Sequence, residues 1–490
     1  MQRNLFLFFA SLITVLIFIF GCKKSNDDDM DVDIPVNDTM TTVIDTSSMD
    51  SIPTLPQGAI LLDPNPQPEG DPAKGYDYLV NGNYLSSGIP IDIFTTVFDP
   101  VFDNVLNRTG DNATLLPEFT AINHANGVKV VTANCLECHG SYLNGEYIVG
   151  LGNINADFTV DRGAVSGGVR LLIDENYGPD SPESDAFAFL EKASLATGPY
   201  IKTEVVGLNP ADHLFAILAA HREPTTLEWS DQTGISFPDK VVATDVPPWW
   251  LLKKKNAPLY NGMGRGNFAN LFMAASTLTL ESLEEAEEIA SHFNDVMAFI
   301  RSIEAPKYPY AIDESLAAEG KVVFEKTCST CHGTYGENES YPNLLFPPSI
   351  VGTDDAAVNG GEGFDQFINW FNNSYFATGN DNPGTLEETG GYVAQPLDGI
   401  WASAPYIHNG SVPTLYEMLK SDARKDYWRR DKSSAYDQVN VGWTYSEESS
   451  KIDKHTYDNS LYGYGNGGHT FGDHLTDENR MAVIEYLKTL

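Results

Sequence analysis

Cys135-Leu136-Glu137-Cys138-His139 and Cys328-Ser329-Thr330-Cys331-His332 are two copies of one pentapeptide, Cys-x-x-Cys-His. Two thiols three positions apart on a helical turn can each form a thioether with a haem vinyl group, and the adjoining imidazole then reaches the iron. The pattern states cofactor, linkage and proximal ligand together. It predicts two covalently bound haem c groups, one on Cys135, Cys138 and His139, the other on Cys328, Cys331 and His332. A redox dithiol, or a zinc site built from both pairs, is the alternative. Neither needs a His after the second Cys of both copies, and zinc-binding pairs usually sit far closer in sequence than these two. The chain has five Cys, and the fifth is Cys22, so no thiol remains for a structural disulfide.

Upstream, Arg3 supplies a charged start, Leu5 to Phe20 an almost unbroken apolar run, and Ile19-Phe20-Gly21-Cys22 a cleavage site. Residues 1–21 read as a secretory signal, a little short for a transmembrane span. The stretch resembles the lipobox of bacterial lipoproteins, in which cleavage before the cysteine leaves it to be acylated, so Cys22 becomes a lipid anchor. The alternative is a signal-anchor helix with an incidental cysteine. Both place the body outside the cytoplasmic membrane, where c-type haem is attached in bacteria. Residues 22–57 carry no aromatic side chain, and Asp27, Asp28, Asp29, Asp31 and Asp33 begin an acidic run among Ser, Thr and Pro. Such a segment buries too little apolar area to offset its ordering entropy and reads as a flexible tether. Lys23-Lys24 before the Asp run also resembles the signal that sends some Gram-negative lipoproteins to the outer surface, which implies the outer membrane, on its periplasmic side or at the cell surface.

The formal net charge of −38 argues against nucleic acid and against charge-driven binding to anionic lipid. It favours small basic redox proteins as partners, or serves solubility alone. The rest of the chain is long enough for two domains with real cores. Ser315 to Thr327 has helical apolar spacing at Leu316, Val322, Val323 and Phe324 and runs into the second haem motif. Thr476-Asp477-Glu478 opens a closing helix with a stripe of Met481, Ile484 and Leu487. The first half repeats the plan: the apolar Val128, Val130 and Val131 precede Cys135, and Leu283 to Ile303 ends in an amphipathic helix stopped by Pro306 and Pro309. The expectation is a mainly α protein of two tandem cytochrome c-like haem domains, 58–308 and 309–490. Between Gly140 and Leu283 the first carries a large loop-rich insertion, of the kind that carries function or builds an interface.

What occupies the other face of each iron separates an electron-transfer site from one that binds oxygen or peroxide. For the second haem the candidates are His408, His455, His469, His474 and Met418. His469 is favoured because Gly465-Asn466-Gly467-Gly468 before it lets backbone approach a porphyrin closely. Neither His nor Met occurs between His139 and His213. The first haem has only His213, His221, His292, Met263, Met273 and Met297 to draw on, and is expected to keep an open face. Trp249 and Trp250 follow Pro247-Pro248; adjacent indoles cannot both face one core, which leaves one free to line a pocket or bridge the haems. Arg265 is a candidate partner for a haem propionate.

Leu397-Asp398-Gly399-Ile400-Trp401-Ala402-Ser403-Ala404-Pro405-Tyr406-Ile407-His408-Asn409-Gly410-Ser411 resembles the P-Y-x-H-[DN]-G-[SA] stretch of bacterial dihaem cytochrome c peroxidases. Gly468-His469 to Leu475-Thr476-Asp477 resembles their segment holding the distal ligand of the electron-transfer haem. That ligand is Met in the peroxidases, and His469 stands here instead, as in the rubber-cleaving dihaem oxygenase branch. The resemblance implies that the second haem, on His332 and His469, relays electrons, with His408 near the haem edge or as alternative ligand. It implies that the first haem, on His139, activates peroxide or dioxygen against an organic substrate, with Trp249 and Trp250 carrying electrons or shaping the distal pocket. It also admits a calcium ion between the domains, for which these residues give no signature. Two other readings remain open: an electron-transfer cytochrome with both irons saturated, and a maturation enzyme that oxidises a partner protein at long range.

Overall fold

The computed structural model describes residues 58–490 apart from 102, 360, 362 and 380–382. The signal expected at 1–21, the anchor at Cys22 and the tether at 22–57 lie outside the described residues. Two pairs of crossed helices organise the fold. In the first half, α1 (Pro72–Asn81) packs on α4 (Leu283–Ser302), and in the second, α5 (Glu314–Thr327) packs on α6 (Asp477–Leu487). Each helix starts where a side-chain oxygen caps free backbone N–H groups: Asp71, Ser282, Asp313 and Thr476. Both crossings are close because a glycine sits at each. A Cβ on Gly75 would lie 1.9 Å from the carbonyl oxygen of Asp295, and one on Gly320 would lie 1.8 Å from that of Ala482. Either distance is impossible for a real side chain, so the helix spacing depends on these two residues.

The expectation of a mainly α chain fails. The protein is 39% helix and 13% strand, with several small sheets, and is mixed α and β. The clearest departure is just before Cys135, where the sequence pattern of Val128, Val130 and Val131 suggests a repeat of the helical plan. Lys129–Ala133 is a strand, paired antiparallel with Phe119–Asn123 on one side and Ile89–Pro90 on the other. The reason is local. Consecutive β-branched residues favour the pleated conformation, and Asn126-Gly127 closes a hairpin, with Gly127 at φ 89° and its N–H donating to the His124 carbonyl. The other described strands are short; some form local hairpins, as Gly140–Leu143 does with Glu146–Val149, and others pair segments far apart in sequence.

Some of these pairings join the two halves. Ile60–Leu61 pairs with Leu344–Phe346, and Gly264–Gly266 with Gly384–Leu386. The cores are shared in the same way. Phe367, Phe371 and Phe376 pack with Leu79, Phe293 and Val296 in one cluster, while Trp250 and Leu143 pack with Phe324 and Val483 in the other. The insertion contributes α2 (Arg162–Asn176) and α3 (Pro182–Thr197), which pack on each other around Val169, Ile173 and Phe187. Among the described residues no helix is long and apolar enough to cross a membrane.

Candidate functional site

Each Cys-x-x-Cys-His lies on one short helical turn, Leu136–His139 and Ser329–His332, and lines its own cavity. The cavity at Cys135, Cys138 and His139 measures about 480 Å³, and the one at Cys328, Cys331 and His332 about 230 Å³. Because the Cys pairs open into different cavities, they do not assemble a four-thiolate zinc site. Burial pushes the thiols up, Cys135 to about 11 and Cys138 and Cys328 to about 12. Redox-active dithiols show the opposite shift. Burial also lowers the imidazoles, His139 to about 3 and His332 below its usual value, which favours the neutral form that ligates iron.

In the second cavity His332 faces His469, with ring centroids 6.1 Å apart. Two imidazole–metal bonds of about 2 Å each, plus the distance from each bonding nitrogen to its ring centre, give a separation of about 6 Å. The residues therefore fit one iron held between two imidazoles. His332 Nδ1 lies 2.7 Å from the Gln395 carbonyl oxygen, a contact that makes Nδ1 the donor and leaves Nε2 free to ligate. His469 is buried, lowered to about 3, and its Nδ1 has no hydrogen-bond partner, as expected of a ring held for something other than protein. Its loop is fixed by backbone. Gly468, at φ 72°, packs on Gly352 so closely that a Cβ would lie 2.1 Å from the Gly352 carbonyl carbon, and the His469 N–H donates to Val351 at 2.7 Å. Arg424 donates to the carbonyls of Asn466, Gly468 and His469. Sequence reasoning missed Arg424 and Gln395, neither of which belongs to a recognisable motif.

Of the other candidates near this cavity, His408 and Met418 line it. His408 stacks on Tyr392 at 4.3 Å, with Nε2 3.2 Å from the Tyr392 hydroxyl. His455 lies in a separate small recess beside Arg430, and His474 does not line the cavity.

The first cavity has a different far wall. No described histidine other than His139 lines it, and Met263 is the one methionine that does; Asn261 donates to the Met263 sulfur at 3.0 Å. His213 is buried edge-on to Phe237, His221 stacks on Trp229, His292 stacks on Tyr78, and Met273 and Met297 belong to the core. Phe94 and Phe119, from before the motif, and Phe158, Phe187 and Phe272, from the insertion, extend the cavity as an apolar space. His139 Nδ1 is buried with no partner, and the ring is held by Trp249, stacked at 4.5 Å and 20°. Trp249 thus covers the His139 ring. Trp250 points the other way, into the second core, and donates to the Asp398 carbonyl at 2.7 Å. Arg265 lines neither cavity and donates to the carbonyls of Gly262 and Gly264.

Asp245, Pro248 and Tyr260 line both cavities and form the wall between them. Tyr260 donates to Asp245 Oδ2 at 3.2 Å, and the Asp245 N–H donates to the His408 carbonyl at 2.8 Å. Burial pushes Asp245 well above the usual carboxylate range. Among the described residues no group of three or more His, Cys, Asp or Glu is placed to hold a metal ion.

A RoxA-like, cytochrome c-like family model matches residues 391–429. The matched segment contains Tyr392, Gln395, His408 and Met418 of the second cavity. Among curated proteins, the chain is similar to two from Sinorhizobium fredii (strain NBRC 101917 / NGR234). The uncharacterized protein y4iM is 26% identical over 300 residues, 52% of this chain and 66% of the relative. The uncharacterized protein y4iJ is 27% identical over 282 residues, 44% of this chain and 46% of the relative. The matches span less than two thirds of either relative. A cytochrome c-like domain of this kind implies bound haem c and the redox chemistry of a haem cytochrome oxidoreductase.

Proposed function

We propose that this chain carries two haem c groups, one relaying electrons and one activating peroxide or dioxygen, in the manner of the dihaem peroxidase and rubber-oxygenase relatives its sequence resembles. The carrying observation is the contrast across the two irons' positions. His469 faces His332 in the narrower cavity, whereas no described histidine faces His139 in the larger one. Haem iron supplies one-electron transfer when both axial positions are filled and peroxide or dioxygen activation when one is open.

The protein's own contributions come from the geometry. Cys328, Cys331, His332 and His469 would hold the electron-relaying group, with Gln395 and Arg424 fixing the two imidazoles. Cys135, Cys138 and His139 would hold the other, with Trp249 orienting His139. The phenylalanines beyond it offer an apolar space for an organic substrate and exclude water from it. Export, anchoring through Cys22 and exchange with small redox proteins complete the reading and rest on the sequence.

Met263 favours a second reading, because its sulfur lines the first cavity. Were it to ligate, both irons would be saturated and the protein would be an electron-transfer cytochrome. Optical and electron paramagnetic resonance spectra of the haem-loaded protein, with and without cyanide, decide between them. The proposal expects one low-spin haem indifferent to cyanide and one that binds it. Two low-spin haems that both ignore cyanide would establish the electron carrier, and loss of that closure in Met263→Ala would identify the ligand.

A further inference from the structure

Lys253, Lys254 and Lys255 are consecutive, yet their surroundings differ. Lys253 pairs with Glu304 at 2.6 Å, and Lys254 with Glu339 and Asp398 at 2.7 Å each. Lys255 is 4% exposed and forms no ion pair with any described carboxylate. Its Nζ donates to the Pro258 carbonyl and to Gln395 Oε1, both at 2.7 Å. An amine with no acidic partner is costly to bury, and the fold nevertheless holds this one in place with two good hydrogen bonds.

Its location gives that charge a target on each side. Lys255 lines the first cavity, while Gln395 lines the second. Gln395 is used at both ends: its side chain accepts from Lys255 and donates to the Val393 carbonyl at 3.0 Å, and its backbone carbonyl lies 2.7 Å from His332 Nδ1. One residue therefore separates the amine from the proximal ligand of the second site. Asp245, in the wall shared by the cavities, is pushed upward by burial, which disfavours a negative charge there.

We infer that Lys255 couples the two haem sites: its charge raises the reduction potential of both, and its hydrogen bond to Gln395 steadies the carbonyl that receives His332. A nearby cation stabilises the reduced state, which carries one positive charge fewer, and the surrounding apolar packing screens that effect little. The inference rests on the two-haem reading.

The test compares the full haem-loaded chain with K255M, K255R and Q395E. Haem is first counted by the pyridine haemochrome assay; one haem per wild-type chain would defeat the two-haem reading itself. With two haems present, each midpoint is measured by spectroelectrochemical titration at pH 6, below the value of about 7 to which burial lowers Lys255. Both midpoints are expected to fall in K255M and to recover in K255R. Q395E sets a carboxylate beside the amine without altering Lys255, and should lower both even if K255M does not fold. Unchanged midpoints, or a shift confined to one haem, would overturn the coupling; a shift at the first haem alone would make Lys255 a local partner of that group.

Discussion

The two Cys-x-x-Cys-His turns of this protein share a motif and differ in almost everything that surrounds it. At the second, the His332 imidazole is tied to a backbone carbonyl and faces another imidazole across a narrow space. At the first, the His139 imidazole has no hydrogen-bond partner at Nδ1, leans on an indole, and looks into a cavity about twice as large. The approach to the motifs differs too. A capped helix runs straight into Cys328, while a β-hairpin delivers Cys135. On the proposed reading, an attachment motif sets what is bound, and the opposite wall sets what the bound group can do.

The comparison can be broken most severely at the attachment residues. Replacing Cys328 and Cys331 by Ser, or Cys135 and Cys138 by Ser, should each halve the haem content measured by the pyridine haemochrome assay, and the double set should abolish it. Equal spectra from the two half-loaded proteins would erase the distinction between the sites. At the next level, His469→Ala should convert the second site alone to a high-spin, cyanide-binding form by electron paramagnetic resonance, leaving the first unchanged.

The shared helix crossings offer a control in which the halves should behave alike. Gly75→Ala and Gly320→Ala each force backbone apart, and each should lower stability by about 1–3 kcal/mol, read by denaturant unfolding. The Trp pair then separates the halves again. Trp250→Phe removes a buried hydrogen bond to Asp398 and should cost about 1–3 kcal/mol, because the carbonyl is left unpaired. Trp249→Phe removes no hydrogen bond and should instead alter the spectrum of the first haem.

Per pH unit, the remaining expected effect is a modest pH slope. Burial lowers His408 to about 3, so the folded chain keeps it neutral while the unfolded chain protonates it below its ordinary value of about 6.5. The unfolded state then binds more protons, and stability is lost as pH falls from about 6.5 toward 3. His408→Gln should reduce that loss by about 1.4 kcal/mol per pH unit, measured by urea unfolding between pH 6 and 4.

How much of this is legible in the sequence varies with how local the cause is. The helix over 315–327 is readable because its apolar spacing and its Asp313 cap lie within a few turns of each other. The stretch before Cys135 misleads because three valines announce burial without announcing a period; the Asn-Gly turn is the signal that corrects it. Nothing in Lys253-Lys254-Lys255 singles out the buried member, and Gln395 stands in no motif. Their roles come from chain segments more than a hundred residues apart meeting at one wall.

By itself the sequence determined the chemistry of attachment, since two thiols and an imidazole on one turn need no distant partner to define their spacing. It also offered His469 as a candidate, because a glycine run lets backbone approach a flat group closely. Only the tertiary structure decided which side chains line each cavity, that Trp249 lies on the His139 ring while Trp250 belongs to the other core, and that one lysine stands at the wall between the cavities. Those are relations between surfaces that meet only when the cores close, and no local pattern encodes them.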